Sequence, residues 1–446
     1  MLEAFRNLFA LPELRKRIVF TLLLLGAYRI GCHVPAPGVN AKALGDLLQA
    51  QGGVFGLVDM FSGGAFSKFS VFALGIMPYI STSIIMQLMT TVFPALEKLS
   101  KEGESGRRKI NQWTRYLTVL LCVVQAFGTT QYLRNLPASQ SYGAVLNDWN
   151  LGIQLMIILT LTAGTILLMW MGEQITEHGI GNGMSLLIFA GIVARIPFEI
   201  GSTFKLLQVG ELSLVKLVFF VAVLLLMTAV AVVSQQAHRK IAVQYPQRTR
   251  AGFPAMGGVS TSLPLKVDYS GVIAVIFASS LLVLPTWMAQ LSYHEGVENP
   301  VQRALRMLLD LFSPGTPLYT VLYAGLIVFF CYFYTAVIFN PTDVAENMKK
   351  FGGFVPGIRP GPSTAEHIDK VLTRITLIGA TAIVAIAVVP EALAQSMKIP
   401  FYFGGTTMLI VVGVALDTLK QIESHLLMHH YEGFMKKAKL QGRMPY

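Results

Sequence analysis

The chain has 446 residues, of which 53% are hydrophobic and 13% are charged, and its formal net charge is +11. Soluble domains carry roughly 25% charged residues, so this composition excludes an ordinary soluble protein and indicates a membrane protein. A membrane-spanning helix needs about 20 mostly apolar residues, and we count ten such segments. In chain order the predicted spans are Ile18–Val34, Val71–Thr91, Trp113–Leu133, Leu151–Met171, Met184–Ile200, Leu214–Ser234, Gly271–Ala289, Leu318–Phe339, Leu372–Pro390 and Gly404–Ser424.

Lysine and arginine are concentrated in alternate loops. Of the 35 Lys and Arg residues, 24 lie before span one, after spans two, six and eight, and in the C-terminal tail. The positive-inside rule therefore predicts that both termini and these loops are cytoplasmic. The loops 92–112, 235–270 and 340–374 are longer than a simple turn, and two interpretations of their charge stay open. One is attraction to anionic lipid, and the other is docking of an acidic or polyanionic cytosolic partner.

The second predicted span is interrupted by polar and helix-breaking residues. Gly75, Pro78 and Gln87 lie at membrane depth, and the preceding residues 61–70 are too short and too polar to span a bilayer. Such groups are costly in hydrocarbon unless protein or a water-filled cavity surrounds them. We therefore expect Phe61–Met89 to face a cavity rather than lipid.

Three isoleucines of this span, Ile76, Ile80 and Ile84, recur every four residues and so share one helical face. Periodicity alone favours lipid contact or ordinary packing for that face. Because Ser83 and Gln87 stand among the isoleucines, the alternative is an apolar constriction that gates a pore by excluding water.

Motifs for covalent chemistry are scarce. Residues Gly179–Gly183 read GIGNG, but no strand precedes them and no Lys-Ser/Thr follows, so a flexible turn is favoured over a nucleotide site. Cys32, Cys122 and Cys331 are far apart and do not resemble a disulfide framework or a metal site. Asp417 is the clearest carboxylate within a span, and ion-coupled transporters usually need more of them. We expect no cofactor and no structural metal.

The ten spans divide into five and five, and an odd number per half gives the two halves opposite orientations. We expect one membrane domain with halves 1–205 and 206–446. Gly75 and Pro78 interrupt span two, and Gly271 and Pro285 lie in span seven, its counterpart in the second half. This pattern is typical of an inverted repeat with a site between its halves.

Five motifs occur in chain order from span two to span ten and together resemble the SecY family, the large subunit of the protein-conducting translocon. They are LGIMPYIS (Leu74–Ser81), GIGNG (Gly179–Gly183), LPLKV (Leu263–Val267), FVPGIRPG (Phe354–Gly361) and FGGT (Phe403–Thr406). The resemblance implies an all-α membrane protein with ten transmembrane helices in two inverted five-helix halves around an hourglass pore. It also implies a short plug helix at about residues 61–70, and a lateral gate between spans two and seven.

The resemblance also implies roles for individual residues. The ring that seals the pore would be Ile76, Ile80, Met184, Ile188, Ile276 and Ile410, where Met184 departs from the usual branched aliphatic residue. The plug would include Phe61, Ser62, Gly63, Gly64, Ala65, Phe66 and Ser67. The lateral gate would include Ser83, Gln87, Ser279, Ser280 and Pro285, and cytoplasmic partners would dock at Arg359, Lys240, Arg248 and Arg250.

The function that the resemblance implies is passage of unfolded secretory proteins across the inner membrane, and release of membrane spans into lipid, by a channel without catalytic activity. The implied partners are the membrane subunits SecE and SecG, the SecA motor ATPase, the ribosome, signal peptides, unfolded precursor proteins and anionic phospholipid. Two other classes are alternatives: a secondary transporter for a small solute, and an intramembrane protease. Both require intramembrane charges or a catalytic pair, which the sequence does not clearly show.

Overall fold

The computed structural model describes residues 12–40, 44–45, 59, 61–135, 150–210, 212–245, 260–291, 316–397 and 404–441. Within these ranges the chain is mostly helical, and each of the ten predicted spans overlaps a helix. In chain order the elements are α1 (Pro12–Gly31), α2 (Met77–Val92), α3 (Pro94–Lys101), α4 (Glu104–Asn135), α5 (Leu151–His178), α6 (Gly183–Val209), α7 (Leu214–Gln236), β1 (His238–Gln244), β2 (Ser260–Lys266), α8 (Val272–Leu291), α9 (Pro317–Ile338), α10 (Pro341–Lys350), α11 (Pro362–Ser396) and α12 (Gly405–Gln441).

Six helices of the described part of the chain are long and apolar enough to cross a membrane, and a bent pair raises that number to seven. The bent pair is α2 and α3, which meet at an angle of 100°. Phe93 between them precedes Pro94 and has extended dihedral angles, as the steric bulk of a following proline requires. The chain is therefore a multi-pass membrane protein, and the number of ten spans stays a prediction.

The chain divides into two compact units. The first holds Met1–Lys205, Ser280–Pro314 and Ile410–Tyr446, and the second holds Leu206–Ser279 and Gly315–Leu409. In the first unit α4 packs against α5 and α2, and α1 packs against α5. In the second unit α11 packs against α7, α9 and α10.

Several helices begin with proline in the first turn, where its fixed φ suits the helix and its missing N–H costs no hydrogen bond. Pro317 opens α9, and the preceding Thr316 side chain accepts a hydrogen bond from the Tyr319 N–H. Pro341 opens α10 in the same way, with the Asn340 side chain accepting from the Thr342 N–H. These caps satisfy backbone donors that a helix N-terminus otherwise leaves free.

Two expectations for residues 61–91 need correction. The helix of the second span begins at Met77 rather than Val71, and residues 62–76 form successive turns instead of a short plug helix. The cause is the backbone: Gly63, Gly64 and Gly75 have φ values of +66°, +84° and +59°, and Phe69 has +42°. A right-handed helix cannot continue through residues with positive φ. Residues 61–70 are called the plug segment below.

The described part of the chain is helical, as the all-α fold class predicts, apart from one β-hairpin in the second unit. Strands β1 and β2 pair antiparallel, with Lys240 opposite Pro264, and Gln244 forms a further bridge with Phe354. Every second residue of β1 from Ile241 points inward. The buried residues of this hairpin core are Ile241, Val243, Leu265, Met348, Val355, Ile368, Leu372 and Ile375. The predicted loops 235–270 and 340–374 therefore share one apolar core.

Candidate functional site

The plug segment pairs with the chain that follows α1. The Ala36 N–H donates to the Phe69 carbonyl (2.8 Å), and the Val71 N–H donates to the Val34 carbonyl (2.9 Å). Further along, Gly164 of α5 lies so close to the Val71 carbonyl oxygen that a side chain at Gly164 would collide with it. All of these residues belong to the first unit. Their contacts fix the chain at the point where the plug segment leads into α2.

Asp59 organises the turns of the plug segment. Its Oδ1 accepts a hydrogen bond from the Ser67 N–H (2.7 Å), and its backbone carbonyl accepts from the Gly64 N–H (2.9 Å) and the Ser62 hydroxyl (3.1 Å). The Phe66 N–H in turn donates to the Ser62 hydroxyl (3.1 Å). Short polar side chains thus replace the backbone ladder that a helix would have supplied.

The C-terminal end of α1 holds the same segment through two side chains. The Tyr28 hydroxyl donates to the Ser62 carbonyl (3.1 Å), and Arg29 Nη1 donates to the Gly63 carbonyl (2.8 Å). The Tyr28 ring also stacks on Phe72, with ring centroids 6.0 Å apart. Nothing in the sequence connects Tyr28 and Arg29 with carbonyls 34 residues later, so their part in the site was not predicted.

One face of α6 also contacts the plug segment and the neighbouring Asp59. Gly191, Arg195 and Glu199 are spaced four residues apart and so lie on one helical face. The Gly63 backbone packs directly on Gly191. Arg195 Nη1 donates to Asp59 Oδ2 (2.5 Å), and its Nη2 lies 3.6 Å from Glu199 Oε1. Neither Arg195 nor Asp59 was predicted as a site residue.

The predicted ring residues are well shielded from solvent. Ile76, Ile80, Ile188 and Ile410 are buried residues of the first unit, where Met184 is half-buried, and Ile276 is a buried residue of the second unit. A Cβ added to Gly75, just before the first ring residue, would lie 3.4 Å from Ser62. The plug segment therefore reaches the start of the predicted ring.

The predicted gate residues lie on α2 and α8. Ser83 and Gln87 are half-buried, and Ser279 and Ser280 are buried. The Ser279 hydroxyl donates to the Ile276 carbonyl (2.9 Å), and the Ser280 hydroxyl has no hydrogen-bond partner among the described residues. Pro285 lies within α8, and its side chain is outside the described part of the structure.

The GIGNG segment forms the predicted turn before α6, and hydrogen bonds anchor it. Three other elements of the first unit satisfy its backbone N–H groups. Ile180 N–H donates to the Thr21 hydroxyl of α1 (3.1 Å), Gly181 N–H to Gln421 Oε1 of α12 (2.8 Å), and Gly183 N–H to the Thr176 hydroxyl of α5 (2.9 Å). These bonds fix the start of α6, two turns of which carry the predicted ring residues Met184 and Ile188.

The predicted docking residues are placed on or beside the hairpin core. Arg359 and Lys240 are exposed, and both belong to the second unit. The backbone carbonyl of Arg359 accepts a hydrogen bond from the Thr364 hydroxyl (2.9 Å), which fixes the turn before α11. Arg248 and Arg250 lie outside the described residues.

The described residues contain no group of three or more His, Cys, Asp or Glu side chains that could hold a metal ion. Cys32, Cys122 and Cys331 are free thiols and are buried. The arrangement around the plug segment offers backbone carbonyls, hydroxyls and one ion pair near an apolar face.

The SecY family model matches residues 70–419. The chain is 46% identical over 433 residues to the protein translocase subunit SecY of Escherichia coli strain K12, covering 97% of this chain and 96% of that protein. It is 47% identical over 437 residues to the same subunit of Pseudomonas aeruginosa (97% and 95% covered). For Thermus thermophilus the identity is 44% over 448 residues (99% and 100% covered).

Solved structures show the same fold at low sequence identity. A protein-conducting channel matches with a TM-score of 0.61 and 17% identity, covering 92% of each chain. Sec61 in the canine ribosome-channel complex from the endoplasmic reticulum matches with a TM-score of 0.60 and 16% identity, also covering 92% of each chain. The family model and the curated relatives confirm the resemblance seen in the sequence, and this chain belongs to the SecY family of protein translocase subunits.

Proposed function

We propose that this translocase subunit passes unfolded secretory proteins through a pore closed by the plug segment, and releases membrane spans sideways between α2 and α8. The observation that carries the proposal is the plug segment itself. It is built from turns, and hydrogen bonds and one ion pair hold it beside the first predicted ring residue, Ile76. Contacts of this kind can be exchanged for water or for a passing chain, because polar groups keep partners in either state.

The ring of Ile76, Ile80, Met184, Ile188, Ile276 and Ile410 is the proposed seal around the moving chain. A narrow apolar collar resists wetting, so it restrains ions while an extended polypeptide slides through. Met184 has a flexible thioether that adapts to an irregular gap. Ser83, Gln87, Ser279, Ser280 and Pro285 are the proposed gate residues, where polar side chains at membrane depth weaken the fit between two helices and lipid.

The channel performs no covalent chemistry of its own, so a partner must supply the driving force. We assign that role to the SecA motor ATPase or to the ribosome, which would engage Arg359, Lys240, Arg248 and Arg250. The exposure of Arg359 and Lys240 supports this assignment. Ribosomal RNA is a polyanion and suits clustered Arg and Lys. SecE, SecG and anionic phospholipid complete the proposed set of partners.

The proposed location is the inner membrane, with both termini in the cytoplasm. The excess of Lys and Arg in alternate loops supports this orientation. The proposed inverted halves are 1–205 and 206–446. A boundary between the compact units falls between Lys205 and Leu206 and supports that division, although the first unit also includes 280–314 and 410–446.

Crosslinking of a stalled secretory precursor tests the pore. An Ile80→Cys variant in the assembled translocase, carrying a thiol-directed crosslinker, should capture the precursor. Cys32, Cys122 and Cys331 are replaced by alanine in both variants, so that only the new thiol can react. Val123→Cys on the exposed face of α4 is the matched control and should capture none. Equal capture at both sites, or none at Ile80→Cys, would contradict the proposed path and favour a small-solute transporter.

A further inference from the structure

We propose that the ion pair between Asp59 and Arg195 is a latch that holds the plug segment on α6 and sets how readily the channel opens. This inference rests on the proposed plug function and adds two positioning residues to it. Asp59 lies two residues before the start of the plug segment, and Arg195 belongs to the face of α6 that contacts this segment. No other ion pair found among the described residues joins the neighbourhood of the plug segment to a helix.

Asp59 connects the two halves of the contact through its two carboxylate oxygens. Oδ1 accepts the Ser67 N–H (2.7 Å) inside the plug segment, while Oδ2 accepts from Arg195 Nη1 (2.5 Å) on α6. Close by, Gly63 packs on Gly191 one helical turn before Arg195. The Asp59 carboxylate therefore links the turns of the plug segment to helix α6. Neither its bond to Ser67 nor its bond to Arg195 would do this alone.

The pair is shielded enough for charge to matter. The side chain of Asp59 is 10% exposed and that of Arg195 is 20% exposed. Opposite charges attract more strongly away from bulk water, so the pair favours a plug segment that stays on α6. Neutralising either partner removes this attraction. Neutralising Arg195 also leaves the shielded Asp59 carboxylate without its opposite charge, and that carboxylate regains water when the plug segment leaves.

Glu199 explains how such a latch can open in the native protein. Its Oε1 lies 3.6 Å from Arg195 Nη2, and its side chain is only 7% exposed. The guanidinium of Arg195 thus faces two carboxylates, one beside the plug segment and one on its own helix. When Asp59 departs with the plug segment, Glu199 continues to neutralise Arg195. Opening of the channel therefore leaves no buried guanidinium without an opposite charge.

The test uses the translocase reconstituted with its membrane partner subunits, and measures resting ion leak and export of a precursor with a defective signal sequence. Asp59→Asn removes the charge but keeps a carbonyl oxygen for the Ser67 N–H, and Arg195→Gln removes the opposite charge. Each variant should raise both readouts about tenfold, which corresponds to about 1.4 kcal/mol. The double variant should add little to either single variant, because the two side chains act as one pair.

Two further variants separate the latch from general loosening. Arg195→Lys keeps the charge and should remain near the parental leak. Glu173→Gln breaks the 2.8 Å ion pair with Arg115 elsewhere in the first unit and should leave the leak unchanged. A rise with Glu173→Gln as large as that with Asp59→Asn would overturn the latch, as would unchanged leak in both Asp59→Asn and Arg195→Gln. Asp59→Asn and Arg195→Gln each remove a different partner of the same ion pair. If one of these variants misfolds, the other still tests the latch.

Deletion of residues 62–69 distinguishes failure of the latch from failure of the plug. If the deletion raises the leak while Asp59→Asn and Arg195→Gln do not, the plug function stands and the latch is wrong. If the deletion itself leaves the resting leak unchanged, the plug function is wrong, and the latch falls with it.

Discussion

Gly63 and Gly191 approach each other so closely that a Cβ added to Gly63 would lie 2.6 Å from the Gly191 Cα. Real Cβ atoms do not tolerate this distance from a backbone carbon, so the contact is open only to glycine. Gly63 also has a φ of +66°, which disfavours any other residue. The plug segment therefore rests on α6 through backbone, with no side chain between them at this point.

Substitution of Gly63 by alanine should displace the plug segment from α6. We expect Gly63→Ala to raise resting ion leak and export of precursors with defective signals by about tenfold, as a loss of about 1.4 kcal/mol would. Gly64→Ala is the matched control, because Gly64 has a φ of +84° but nothing lies within 4 Å of its added Cβ. Equal effects of the two variants would show that backbone strain, rather than the contact with Gly191, is responsible.

Polar substitution in the proposed ring should loosen the closed pore. We expect Ile80→Asn and Ile276→Asn to increase ion leak and to admit precursors with defective signals, because a hydrophilic side chain makes wetting of a narrow collar easier. Ile84→Asn is the control on the same face of α2, since Ile84 is also buried but lies outside the proposed ring. Planar-bilayer conductance measures the leak. Unchanged conductance and signal selectivity in both ring variants would refute the ring assignment.

Loss of the Gln421 acceptor should destabilise the GIGNG anchor. Gln421→Leu leaves the Gly181 N–H without its 2.8 Å partner, which costs about 1–3 kcal/mol for a shielded donor. We expect a lower melting temperature of the purified complex, measured by intrinsic fluorescence. Thr160→Val is the control, because the Thr160 hydroxyl donates to the carbonyl of Met156 in its own helix and so anchors no other element. A melting temperature for Gln421→Leu equal to that of the control would contradict the anchor.

Arg359 should carry more of the docking energy than other exposed charges of the second unit. Arg359→Ala removes the guanidinium but keeps the backbone carbonyl that holds Thr364, so the turn should persist. We expect binding of the motor ATPase or of ribosomes to weaken about tenfold, with a smaller salt dependence. Arg374→Ala removes an exposed charge of the same kind from α11 and should weaken binding much less. Similar losses of binding in the two variants would show that Arg359 contributes only through its positive charge and not as a specific docking residue.

The stability of the second unit should depend on the protonation of Asp268. Burial raises the pKa of this carboxyl above 3.8, although hydrogen bonds from Gly271 and Ser270 oppose the shift. Between the ordinary and the raised pKa the folded protein binds more protons than the unfolded chain, so stability falls as pH rises through that window. Asp268→Asn removes the charge and keeps an acceptor for the Gly271 N–H.

The Asp268→Asn variant should therefore be at least as stable as the parent at neutral pH, and the difference should vanish toward pH of about 4. Thermal unfolding across this range measures it. Asp268→Ala is the control that loses the acceptor as well, and it should be less stable than Asp268→Asn at every pH by about 1–3 kcal/mol. A stability difference between parent and Asp268→Asn that does not change with pH would contradict the raised pKa.

The helices were predictable from the sequence because a run of about 20 apolar residues is a local signal. The residues at which these helices begin and end were less predictable. The helix of span nine begins at Pro362 rather than Leu372, since its first turns are amphipathic and pack on the hairpin core. Strands β1 and β2 were missed because each has only seven residues, and pairing such as that of Lys240 with Pro264 depends on a distant partner.

The candidate site was predictable only in part. Glycines and serines marked the plug segment as something other than a uniform helix, and this inference agrees with the turns observed there. Tyr28 and Asp59 left no local signal, because each acts through a partner brought near by tertiary folding. Arg29 and Arg195 are charges within predicted spans, and this was a hint because intramembrane charges usually have a partner.

The shared core of the hairpin has a mechanical consequence. A flexible loop absorbs an applied push by bending, but β1, β2, α10 and the first turns of α11 are packed together and must move as a block. Helix α11, whose first turns belong to this block, is 35 residues long in total, about 50 Å at 1.5 Å per residue. A force applied at the turn containing Arg359 would therefore be transmitted along helix α11, and no flexible loop would absorb it.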